Sequence, residues 1–152
     1  MVATNTTTKS ETNGTVGAFR LIKYGLLTAI AASIVNVLVL FTGLTMVEFP
    51  SEFVGGPFGP LAVGPVIGNS AVAAIGATFV YGVIARYSAR PNRTFVIVAG
   101  AVLVLSFAMF LAPDVSGAPP RVFAVLVVMH ATAAVTIVGV LTRVTNQEVE
   151  FR

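Results

Sequence analysis

Long unbroken apolar runs alternate with short polar interruptions along this chain. Four runs stand out, at about residues 21–46, 61–85, 94–112 and 122–142. Crossing a hydrocarbon core of roughly 30 Å takes about 20 helical residues at 1.5 Å each, and the four runs have that length. Lys23, near the start of the first, is the one charged residue inside them. Each charge at a helix centre would cost about 2.5–3.5 kcal/mol on insertion. Lipid offers no partner to backbone N–H and C=O groups, so a spanning segment must be a helix or a closed barrel. Barrel strands would be short and would alternate apolar with polar, whereas these runs read Ala-Val-Leu-Val-Leu. The pattern therefore predicts an all-α integral membrane protein, a four-helix transmembrane bundle over residues 17–146. A Thr/Asn-rich tail, 1–16, has too little apolar surface to offset the entropy of ordering, and 147–152 form a second tail.

Composition agrees. Apolar residues make up 56% of the chain and charged ones 10%, against roughly 25% charged in a soluble domain. Mean hydropathy is +0.92. The net charge of +3 does not point to nucleic acid, because the basic residues are scattered between apolar runs instead of lining one face. The absence of cysteine excludes disulfides and thiolate chemistry. The first run is too long for a signal-peptide core, and Leu44–Glu48 offers no Ala-x-Ala cleavage site.

Charge sets the expected orientation. Lys9, Arg20, Lys23, Arg86, Arg90, Arg93, Arg143 and Arg152 fall on one side of the four spans, and Arg121 on the other with Glu48, Glu52 and Asp114. The positive-inside rule places the larger group, and both termini, in the cytoplasm of a plasma-membrane protein. The Asn-x-Thr triplets at Asn5, Asn13 and Asn92 then lie inside and carry no glycosylation meaning.

The segment Val47–Pro60 interleaves Phe49, Phe53 and Phe58 with prolines, glycines and two glutamates. It reads as an aromatic anchor at the outer surface, with a lid or partner-docking surface as the sharper alternative. In the second run, Gly64 and Gly68 form Gly-x-x-x-Gly, and Asn69, Ala73, Gly76 and Ala77 extend a small-residue face. Small residues let membrane helices approach closely, so this run is the expected packing helix, within the bundle or between copies. Gly82–Arg86 and Gly139–Arg143 match in outline, a faint trace of duplication that shared helix-exit chemistry explains equally well.

Four polar side chains lie at similar depth. Asn36, Ser106 and His130 come to roughly 18–20 Å from the cytoplasmic edge, and Asn69 about a turn further out. Their cost in lipid points them into the bundle. Asn36 facing His130 would make a packing clasp, with Ser106 and Asn69 nearby; a proton-sensitive pocket on His130 is the functional alternative. Met129 beside it reads as lipid-facing.

With His130-Ala131-Thr132-Ala133-Ala134 in the fourth run and Arg90-Pro91 in the second loop, the chain resembles a group of small four-helix membrane proteins of actinobacteria and halophilic archaea. They are classed only as a domain of unknown function. The resemblance covers about residues 18–143, implies the four-span fold, and supplies no activity.

The leading expectation is a non-enzymatic accessory or scaffold protein in the lipid bilayer, with a homo-oligomer or another membrane protein as partner. The alternative is an oligomeric transporter or channel for a small solute or ion that uses the polar cluster, although no carboxylate lies in the spans to couple protons. An enzyme would need a nucleophile–base pair or a metal set, which one histidine cannot supply. No cofactor is expected; haem could be held only by His130 with a methionine, or by two chains sharing it.

Overall fold

The computed structural model describes residues 17–51, 59, 61–108 and 119–143. Both tails, Phe53, Phe58 and the 109–112 end of the third apolar run fall outside these residues. Four helices are described: α1 (Ala18–Met46), α2 (Val63–Tyr87), α3 (Pro91–Ser106) and α4 (Pro120–Leu141). No strand occurs among the described residues. The chain is all-α.

Proline and chain direction set the ends. Pro91 and Pro120 each open a helix at its first position, where the missing N–H has no intrahelical partner to lose and φ is already helical. Pro65 sits in the first turn of α2 and is tolerated for the same reason. At the other end of α2, the Ser88 N–H still reaches the Ile84 carbonyl at 2.8 Å, and the residue before Pro91 is pushed out of helical geometry.

α1, α2 and α4 are long and apolar enough to cross a membrane. α3 is a shorter apolar helix of 16 residues, about 24 Å long, with a 3-10 turn at Phe107–Ala108. Large apolar side chains point outward all round: Val72, Phe79, Val104, Leu105 and Val135 are each near 70% exposed. A soluble monomer avoids apolar surface on this scale, while lipid is a good solvent for it.

Neighbouring helices pack in chain order around a square. α1 packs extensively on α2 and α4, α3 touches α2 and α4 more sparsely, and the α2–α4 diagonal is weak. Two core clusters result. One gathers Ala32, Ala74, Tyr81, Phe95, Ile137 and Leu141; the other gathers Leu40, Leu61, Val66, Val122 and Met129. Met129 is thus buried, not lipid-facing, because Val122 and Met129 lie one heptad apart on the α4 seam that faces α1 and α2. Phe49, the one described phenylalanine of the loop, packs against the second cluster.

The small residues of α2 sit differently from the expected packing face. A Cβ added to Gly64, Gly68 or Gly76 would meet nothing within 4 Å. The buried seam of α2 is instead Val66, Ser70, Ala74 and Tyr81. Close approach to stiff side chains occurs at α1: a Cβ on Gly25 would lie 2.7 Å from Thr78 Cγ2, and one on Gly43 would lie 2.8 Å from Val125 Cγ1, whereas Gly82 of α2 meets only the flexible end of Leu21. Thr78 and Val125 are β-branched and stiff at χ1, and Thr78 is further held by its bond to the Ala74 carbonyl, 2.7 Å.

Candidate functional site

Asn36 is the buried amide among the described residues. Its Nδ2 donates to Ser70 Oγ at 2.8 Å, and Ser70 Oγ donates in turn to the Val66 carbonyl at 2.7 Å. Thr132 Oγ1 lies 3.4 Å from Asn36 Oδ1 but 2.8 Å from the Val128 carbonyl. A hydroxyl has one proton, and the nearer carbonyl holds most of it. The clasp is therefore chiefly between α1 and α2, with a weaker link to α4. In lipid a bond of this kind contributes about 0.6 kcal/mol on average, enough to choose a register.

The four polar residues expected to share one cluster are not brought together. Asn69, one residue before Ser70, is turned about 100° around α2 and is exposed. His130 is two residues from Thr132, about 200° around α4, so it faces away from Asn36. Its Nδ1 lies 2.9 Å from the Leu126 carbonyl; a carbonyl only accepts, so Nδ1 carries the hydrogen. The ring also lies tilted against Phe107, with centroids 6.3 Å apart. Ser106 Oγ donates to the Leu103 carbonyl at 2.7 Å. Every buried side-chain nitrogen and oxygen among the described residues has a hydrogen-bond partner.

Ser106 and His130 do share a place. Both line a cavity of about 350 Å³ between α2, α3 and α4, together with thirteen apolar residues. Its cause is side-chain size. Ala73, Gly76 and Ala77 of α2, Ala99 of α3, and Ala133 and Ala134 of α4 all front it, and six small residues across three helices leave the space that larger ones would fill. A closed void costs roughly 24 cal/mol per Å³; this one opens to the surface, where hydrocarbon can enter. No group of three or more His, Cys, Asp or Glu residues that could hold a metal occurs among the described residues.

One polar network escaped the sequence reading. Tyr81 Oη donates to Asn92 Oδ1 at 2.8 Å, and Asn92 Nδ2 donates to the Thr142 carbonyl at 3.3 Å. Tyr81 also packs edge-on against Phe95, with centroids 5.0 Å apart. These contacts pin α2, α3 and α4 at the end where Arg86, Arg90, Arg93 and Arg143 cluster in sequence. Asn92 beside the Arg-Pro turn was the available signal, hidden by its reading as a meaningless glycosylation triplet.

No curated protein and no solved structure matches the chain. A family model does match, over residues 17–147, and takes in all four helices. It carries no activity and no taxonomic range. By that match the chain belongs to the family of unknown function DUF6069.

Proposed function

We propose that the chain is a non-enzymatic accessory protein of the plasma membrane that docks another membrane helix on the outer end of α2. The carrying observation is the open surface over Gly64 and Gly68, where an added Cβ would meet nothing. Glycines spaced i, i+4 let a second backbone come close, and the chain's own helices make no use of them. The separation of Asn36 from His130 speaks against the transporter alternative, which needs a shared polar layer. The partner is a second copy of the chain or another membrane protein.

The chain has no cysteine, so single-cysteine scanning is clean. Gly68→Cys and Val72→Cys, each labelled with a thiol-reactive benzophenone, should form photocrosslinked protein products in native membranes, while Leu38→Cys on exposed α1 should not. Absence of product at both α2 positions overturns the docking surface. For orientation, with both termini cytoplasmic, Ser51→Cys and Ser116→Cys should react with an impermeant thiol reagent outside intact cells. Labelling of Ser88→Cys without lysis would reverse that assignment.

A further inference from the structure

The cavity between α2, α3 and α4 lies on a different flank from the Gly64–Gly68 surface, and its chemistry is narrow. One end is apolar, lined by Phe95, Ile137 and Val138; the other end carries Ser106 and His130. Phe95 to Ser106 is eleven residues of α3, about 16 Å, and His130 to Val138 is eight residues of α4, about 12 Å. A volume of about 350 Å³ drawn out over that length is a slot and not a sphere. No charged side chain lines it, so an ion or a charged headgroup would enter without compensation.

The polar end selects further. Ser106 Oγ has given its hydrogen to Leu103, which leaves it lone pairs only. His130 Nδ1 is likewise the donor to Leu126. A ligand group that bonds Ser106 Oγ must therefore bring its own hydrogen. Ser106 lies about 18–20 Å from the cytoplasmic edge of the apolar layer, and so beyond the middle of a layer roughly 30 Å thick. A hydroxyl there lies in the outer half of the layer with its tail directed inward.

We infer that this slot binds an uncharged single-chain amphiphile with a terminal hydroxyl, a long-chain alcohol in chemical class. The tail lies along the small residues of the three helices, and the hydroxyl donates to Ser106 Oγ. This goes beyond the docking role of α2 and does not depend on it.

The test uses the full chain in lipid nanodiscs and a dodecanol analogue carrying a diazirine in its chain. Crosslinks should map to peptides of α3 and α4 that line the slot, and dodecanol should compete better than dodecane or dodecanoate. Ala99→Leu and Ala134→Leu fill the slot from different helices, and each should abolish the crosslink. Should one fail to fold, the other still decides. Ser106→Ala should raise the dodecanol concentration needed for competition roughly two- to tenfold, the scale of one hydrogen bond, and leave competition by dodecane unchanged. Crosslinks spread over all lipid-facing helices, or surviving in a folded slot-filled variant, or dodecane competing as well as dodecanol, would each overturn the assignment. The cysteine scan at Gly68 leaves the slot intact, so either idea can fail alone.

Discussion

The α1 flank and the α3 flank of this molecule put small residues to opposite uses. Along α1, Gly25 and Gly43 lie beneath Thr78 and Val125 at distances that exclude even a methyl group. A small residue there faces a larger, stiff one, and the helices close up. Around α3, alanines and a glycine from three helices face one another, and a cavity of about 350 Å³ results. Smallness by itself brings no helices together; it does so only opposite a side chain that fills the space. The same contrast holds for polar groups, since Asn36 bonds across helices to Ser70 while Ser106 bonds within its own helix.

The strongest way to break this contrast is to enlarge matched positions. Gly25→Leu should destabilise the protein in mild detergent by about 3 kcal/mol, the upper scale of overpacking. Gly76→Leu, pointing into open space, should change stability by less than about 0.5 kcal/mol. Equal losses at the two positions would show that the flanks do not differ in packing. Next in size, Tyr81→Phe keeps the ring against Phe95 and removes the bond to Asn92, for an expected loss of about 1 kcal/mol. Thermal unfolding read by circular dichroism would detect it, and no change would mean that the pin contributes nothing. The smallest effect sharpens the comparison most. A double-mutant cycle on Asn36→Leu and Ser70→Ala should give coupling near 0.6 kcal/mol, whereas Asn36→Leu with His130→Leu should be additive. Coupling in the second cycle and none in the first would return His130 to the clasp.

Helix existence was legible because length and the lack of charge decide it. The expected starts near 21, 61, 94 and 122 fall within three residues of those observed at Ala18, Val63, Pro91 and Pro120. Asn36 was correctly read as pointing inward. Rotation was not legible. In a helix apolar all round, no hydrophobic stripe marks which side faces the bundle. Asn69 was therefore chosen where Ser70 bonds, and His130 where Thr132 approaches, errors of one and two residues that turn the side chain by about 100° and 200°. Met129 was misplaced for the same reason. Gly25 carries no signal in the sequence, because a single glycine makes no spacing pattern and the Thr78 side chain that crowds it is 53 positions away.

The pin formed by Tyr81, Asn92 and Thr142 has a mechanical meaning. α3 is fastened to its neighbours at its first turn and lies against a cavity along much of its remaining length. A rotation about that support displaces each point of the helix in proportion to its distance from it. A tilt of about 5° about Asn92 leaves the Arg-rich end unmoved and carries Ser106, about 21 Å away, through roughly 2 Å.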